Sequence, residues 1–191
     1  MAENREALTV LIDGIKNGKI MAEKFSIWLM PSGKKYNKLK KLILSLGKKY
    51  SAPVFEPHVT LLGNLGGQKK EALKKTAYLA SKIKPFKITL TSHEYLDEYF
   101  RCLFIKAKKT SNLVKAYSMA KQIFRQKSKE KFMPHLSLVY GHFPAKTKQE
   151  IISQIKTDVA MSFEINNIML FLASKNIQPN KWREIREFKL K

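Results

Sequence analysis

Two short stretches of the chain set a histidine and a hydroxyl two residues apart, directly behind a proline. Pro57-His58-Val59-Thr60-Leu61 is the first, and Pro134-His135-Leu136-Ser137-Leu138 is the second. In extended backbone, successive side chains point to opposite faces. His58 and Thr60 therefore share a face, with Val59 and Leu61 on the other, and His135 and Ser137 repeat the arrangement. Proline has no N–H for a ladder and pushes its predecessor toward extended backbone, which suits the mouth of a strand. A glycine follows each copy, Gly63 and Gly141. One His-x-Thr on a strand is ordinarily a structural histidine. Two copies in matching context point to a repeated device.

The chemistry that needs two imidazoles and two hydroxyls is metal-independent phosphoester cleavage. Imidazole titrates at about pH 6.5, so one ring can be neutral while its partner is protonated. The neutral ring takes a proton from the attacking water, and the charged ring gives one to the departing oxygen. Hydroxyls donate hydrogen bonds to the non-bridging phosphate oxygens. His58 and His135 are thus the candidate catalytic pair, and Thr60 and Ser137 the candidate phosphate-binding groups. Tyr99, Phe100 and Tyr140 are candidates for stacking on the substrate. Trp28 and Trp182 read as core or lobe-interface packing. His93 reads as structural or exposed, and His142 as a surface residue. With no HExxH motif, no cysteine cluster and no glycine-rich phosphate loop, neither a metal nor another cofactor is expected.

The elements that must carry these residues read as α+β. Residues 1–22 form an N-terminal extension whose Leu8, Leu11, Ile12 and Ile15 recur at helical spacing, and residues 23–191 form one bilobal domain. A strand over 24–31 leads to a helix over 34–50 with Leu39, Leu42, Ile43 and Leu46 inward. A strand over 58–65 follows, then a helix over 68–83 with Leu73, Ala77 and Ala80 toward the core. Segments 86–96 and 98–108 pair as a hairpin around Asp97 and Glu98. Ser111 caps a helix over 111–124, a polar connection spans 126–131, and a strand runs over 135–140. A helix over 146–155 and closing strands over 162–174 and 182–190 complete the chain. Hairpins mixed with helices give largely antiparallel sheets with outer helices. Lobes related by a pseudo-two-fold axis would bring both polar pairs to one central cleft.

The chain has 191 residues, 44% of them hydrophobic, which is enough for a sizeable core. Its only cysteine, Cys102, lies in the apolar run RCLFIKA and reads as a small buried residue of a protein in a reducing compartment. No secretory signal and no membrane span are read, so a cytoplasmic protein and a monomer are expected. The net charge of +22 favours phosphate-bearing partners, although a lysine-rich solvated surface gives the same number.

At FEPHVTLLG and MPHLSLVYG the sequence resembles the two-histidine (2H) phosphoesterase superfamily, defined by two HxT/S motifs, and within it the cyclic phosphodiesterase branch. YFRCLFIKA is similar to that branch's strand before the second motif. The resemblance runs from about Phe25 to Leu172. It implies a bilobal fold, two antiparallel sheets around a water-filled cleft, and hydrolysis of 2′,3′-cyclic nucleotides to 2′-phosphates and of ADP-ribose 1″,2″-cyclic phosphate. It also implies that His58 and His135 are the acid–base pair and that Thr60 and Ser137 hold the phosphate. Two alternatives stand beside this expectation. One is an enzyme acting on cyclic-phosphate RNA ends, including one like a 2′-5′ RNA ligase. The other is a nucleotide-binding module without turnover.

Overall fold

Apolar residues alternate along the strand segments and recur every third or fourth position along the helical ones. The computed structural model shows where these stripes meet. It describes residues 15–16, 19–20, 23–155 and 161–191. In chain order the elements are β1 (Ile15–Lys16), β2 (Lys19–Ile20), β3 (Lys24–Leu29), α1 (Gly33–Tyr50), β4 (Val59–Gly66), α2 (Lys69–Ala80) and β5 (Phe86–Glu94). A 3₁₀ turn (Tyr99–Arg101), β6 (Leu103–Ala107), α3 (Ser111–Ile123), β7 (His135–Val139) and α4 (Ala145–Gln154) follow. The chain closes with β8 (Ser162–Ile165), β9 (Asn167–Leu172), a second 3₁₀ turn (Pro179–Lys181) and β10 (Arg183–Lys189).

Eight strands form one sheet in the order β10-β9-β3-β4-β7-β6-β5-β8, and every pairing in it is antiparallel. The expected two sheets are the four-stranded halves of this one. They join where β4 meets β7 at a single paired position, Val59 opposite Leu136. The run β3–α1–β4–α2 of one half is matched by β6–α3–β7–α4 of the other. The helices cross the seam, since α1 packs on β7 and α3 on β4. β3 shows why both faces are covered. Phe25, Ile27 and Leu29 enter the main core, while Trp28 joins Phe171 and Ala173 in a small second cluster.

Several expected boundaries shift for local reasons. Most of the segment expected as an N-terminal helix lies outside the described residues. The described parts, β1 and β2, pair antiparallel with Ile15 opposite Ile20, so Ile15 is in a ladder rather than on a helix face. The closing strand over 162–174 is two strands divided at Asn166. β8 pairs with β5 at one edge, whereas β9 lies between β10 and β3 in the other half. Thr110, not Ser111, caps α3, because Thr110 is extended and its Oγ1 accepts from the Leu113 N–H at 3.3 Å. In α2 the buried stripe is Ala72, Thr76, Leu79 and Ala80, with Ala77 exposed. Thr76 can be buried because its hydroxyl donates to the Ala72 carbonyl at 2.7 Å.

The hairpin of β5 and β6 pairs Glu94 with Phe104, and its connection holds the first 3₁₀ turn. Lys148 of α4 pins this connection. Its ammonium is buried, donates to the Leu96 carbonyl at 2.9 Å and lies 3.4 Å from Asp97 Oδ1. Among the described residues, no helix is long and apolar enough to cross a membrane.

Candidate active site

The segment that delivers His58 is held tightly from behind. A Cβ on Gly47, near the end of α1, would come within 2.7 Å of Val54 Cγ2, so the chain can fold straight back along the helix. Glu56 is then clamped to α1. The Tyr36 hydroxyl donates to Glu56 Oε2, and Lys40 Nζ lies 2.5 Å from Oε1. Burial, then the Glu56 carboxylate, pushes the Tyr36 hydroxyl up to about 12, so it stays a donor.

Glu56 contributes through its backbone too. Its carbonyl accepts from His58 Nδ1 at 2.6 Å, and the Met133 carbonyl accepts from His135 Nδ1 at 2.8 Å. A carbonyl can only accept, so each neutral ring carries its proton on Nδ1 and leaves Nε2 as the basic nitrogen. In both copies the accepting carbonyl belongs to the residue before the proline, which explains the repeated X-Pro-His.

The register brings the four polar residues together. Val59 pairs with Leu136. β4 and β7 are therefore neighbours at the positions just after His58 and His135, and His58 feels the charge of His135. Ser137 is buried, and its Oγ donates to the Phe100 carbonyl at 3.3 Å. His135 stands opposite Lys106, and Ser137 opposite Phe104, on β6.

The two rings differ in enclosure. His58 is 6% exposed. Burial lowers its pKa to about 4, with the Glu56 carbonyl opposing that shift and the charge of His135 adding to it. His135 is partly exposed. Burial lowers its pKa as well, opposed by the Met133 carbonyl and reinforced by the nearby Arg101. Arg101 is itself paired, its Nε donating to Glu98 Oε2 at 2.8 Å.

Aromatic side chains surround His58. Trp28 stacks on it with ring centroids 3.6 Å apart, and Trp182 meets it edge-on at 6.3 Å. Trp182 is fixed by its Nε1, which donates to the Ile177 carbonyl at 3.0 Å and the Ser174 carbonyl at 3.2 Å. Trp28, Phe55, Phe171 and Trp182 line a shallow recess of about 90 Å³ that also touches Lys40 and Glu56. Phe100 stacks at 6.1 Å on Trp182, and Tyr99 packs against Phe100 at 4.8 Å. Tyr140 is buried with its face on Phe55 at 3.9 Å. Burial raises its pKa and the Ser137 hydroxyl works against the rise, so it presents a protonated hydroxyl rather than a free ring face.

Residue types alone did not single out Trp28 as the surface His58 lies on, or Glu56 and Met133 as the carbonyls that set the tautomers. The signal available was the X-Pro-His repeat. His142 is exposed and Cys102 buried, as expected. His93 lies on the opposite face of β5, and its buried Nε2 has no hydrogen-bond partner among the described residues. Among those residues, no group of three or more His, Cys, Asp or Glu side chains is placed to hold a metal ion.

A bilobal antiparallel sheet with one His-x-hydroxyl pair from each half is the architecture of a two-histidine phosphoesterase. The sequence profile of the family described as cyclic phosphodiesterase-like protein matches residues 21–190, and the chain belongs to that family. It is 25% identical over 156 residues to the cyclic phosphodiesterase of Arabidopsis thaliana, covering 80% of this chain and 86% of that protein. The fold is similar to that of E. coli LigT solved with 3′-AMP, at a TM-score of 0.61 and 13% identity, covering 88% of this chain and 98% of LigT. The TT0787 protein of Thermus thermophilus gives a TM-score of 0.61 at 16% identity, covering 87% of this chain and 97% of that one.

Proposed function

We propose that the protein hydrolyses 2′,3′-cyclic nucleotides to 2′-phosphates without a metal. His58 and His135 act as the acid–base pair, and Thr60 and Ser137 bind the phosphate. The observation that carries this reading is the matched pair of Nδ1–carbonyl bonds, which leaves two basic Nε2 atoms on one face astride the Val59–Leu136 pairing. One Nε2 takes a proton from water as the water oxygen bonds to phosphorus. The P–O3′ bond breaks, and the other Nε2 protonates O3′. The product is a 2′-phosphate with a free 3′-hydroxyl, and the two rings have exchanged protonation states. His58 is the more enclosed ring and starts neutral as the base. Burial holds His135 below its ordinary pKa as well, but less completely, and it is the ring that takes up a proton as the anionic phosphate binds and so serves as the acid. Acid–base help of this kind is worth about 10²–10⁴-fold.

The similarity to the cyclic phosphodiesterase of Arabidopsis thaliana supports the cyclic-phosphate class, and ADP-ribose 1″,2″-cyclic phosphate fits the same chemistry. The net charge of +22 favours a second substrate, the cyclic-phosphate end of RNA.

The test is hydrolysis of 2′,3′-cyclic AMP in EDTA, with the 2′- and 3′-phosphate products resolved. The expected product is the 2′-phosphate, with kcat at least about 10²-fold lower in His58→Ala and in His135→Ala. Normal turnover in either variant overturns the pair, and complete loss in EDTA restored by a divalent cation overturns the metal-free step.

A further inference from the structure

The candidate cleft changes character across His135. Toward β3 and β9 its surroundings are aromatic, with Trp28, Phe171 and Trp182 gathered near His58. Toward β6 the residue directly opposite His135 is Lys106. Directly opposed residues of an antiparallel pair project from the same face with Cα atoms about 4.5–5.5 Å apart. Lys106 is therefore rooted beside His135 on that face, next to the Phe104 ring 5.0 Å from the imidazole, and Arg101 adds positive charge nearby.

Lys106 is held there only loosely. Its Nζ lies 2.9 Å from Glu94 Oε1, with the two side chains 44% and 40% exposed. Ser92 Oγ donates to the same carboxylate oxygen at 3.2 Å. A pair this exposed is weak and easily exchanged, and a phosphate, singly charged as the diester of an RNA chain and up to doubly charged as a terminal ester, offers the ammonium a charge-assisted partner in the carboxylate's place. The strand ends add further charge. The Ala107 N–H donates to the Pro134 carbonyl at 2.9 Å, so β6 leaves the sheet where β7 enters it. Exposed Lys108 and Lys109 follow β6, and exposed Lys131 shortly precedes His135, at that same rim.

We propose that Lys106 forms a second anion subsite, which takes a phosphate on the 5′ oxygen of the ribose whose cyclic phosphate lies between His58 and His135. The inference rests on the cyclic-phosphate reading above. O5′ leaves the sugar at the end away from O2′ and O3′, so a phosphate there stands one ribose from the scissile phosphorus. That is a span suited to a lysine rooted beside His135. The base on C1′ is then free to meet the aromatic side. The chemistry required is a ribose cyclic phosphate phosphorylated on O5′, which an RNA 3′ end and a small 5′-phosphorylated nucleotide both present.

The experiment compares adenosine 2′,3′-cyclic phosphate, its 5′-phosphorylated form, and a short oligoadenylate with a cyclic-phosphate end. Each is assayed with wild type, Lys106→Gln, Lys106→Arg and Glu94→Gln. The 5′-phosphorylated compound is expected to exceed the plain one in kcat/KM by about 10-fold or more in wild type. Lys106→Gln should abolish that ratio and leave the plain compound unchanged. Lys106→Arg should keep most of the ratio, and Glu94→Gln, which releases the ammonium, should enlarge it. An oligoadenylate preferred over the phosphorylated mononucleotide identifies RNA as the source, and parity identifies the small nucleotide. A wild-type ratio near one, or a ratio unmoved by Lys106→Gln, overturns the subsite and leaves the hydrolase reading standing. If nothing is turned over, the hydrolase reading fails. Dissociation constants for adenosine 2′-phosphate and adenosine 2′,5′-bisphosphate then decide the subsite, which falls if they are equal or if Lys106→Gln leaves their ratio intact.

Discussion

His58 lies flat on Trp28, with ring centroids 3.6 Å apart and planes within 7°. Trp28 is fixed in turn, stacking on Phe171 at 3.8 Å and donating from Nε1 to Ser26 Oγ at 2.9 Å. The stack and the Nδ1 bond to the Glu56 carbonyl leave His58 no free rotation, so Nε2 has one direction. The indole face also favours a cation, which offsets part of the burial penalty at the moment the ring takes a proton.

Trp28 should therefore serve both the fold and the reaction. Trp28→Ala removes a fully buried indole and should cost about 3–5 kcal/mol of stability. Trp28→Phe keeps an aromatic surface under His58 and should melt near wild type, with kcat reduced by less than about tenfold. Denaturant unfolding and turnover on the same preparations check this. A Trp28→Ala variant of normal kcat would remove the ring from the catalytic account.

Thr60 and Ser137 should not be equivalent. The Ser137 hydroxyl already donates to the Phe100 carbonyl, and that carbonyl is what its loss would strand. Thr60→Ala should lower kcat/KM by about tenfold with an unchanged fold. Ser137→Ala should do the same and also lose about 0.5–1.5 kcal/mol, because it removes the hydrogen bond to the part-buried Phe100 carbonyl. Equal stabilities of the two variants would show that the Phe100 carbonyl finds another partner.

The His58 environment gives a stability signature. Burial lowers its pKa from 6.5 to about 4, so the folded state resists protonation. At high pH the ring is neutral whether folded or unfolded. As pH falls below 6.5 the unfolded chain binds the proton first, and stability declines until the folded ring also protonates near 4. The loss across that window should be about 3 kcal/mol. Unfolding free energies at the two ends of the window, in wild type and His58→Gln, test it. The variant should lose that much less, and identical losses would count against the buried neutral ring.

Lys148 should matter for order rather than chemistry. Lys148→Met keeps the packing but leaves the Leu96 carbonyl without its donor, at about 1–3 kcal/mol. Hydrogen exchange in the 95–101 connection should rise more than elsewhere. Uniform exchange would mean the turn is held by other contacts.

Much of the fold and the make-up of the candidate site were legible in the sequence, because each was encoded locally. Strand alternation put His58 with Thr60 and His135 with Ser137, and helical spacing located α1. What stayed hidden depends on residues far apart in sequence. The stack of Trp28 on His58 and the Lys106–His135 pairing both follow from strand order and register. A polar Thr76 broke the apolar stripe of α2 because its hydroxyl is satisfied within the helix. The run over 162–174 looked continuous because both of its strands are apolar, and only their separate partners divide it at Asn166.

The crossing of α1 onto β7 and of α3 onto β4 has a consequence for how the molecule holds together. Each half carries the brace for the other half's histidine strand, so neither can be a free-standing unit. A chain divided in the 81–85 connection would give two fragments, each missing the helix that covers its own reactive strand. They would be inert apart and would recover a complete cleft only as a complementing pair.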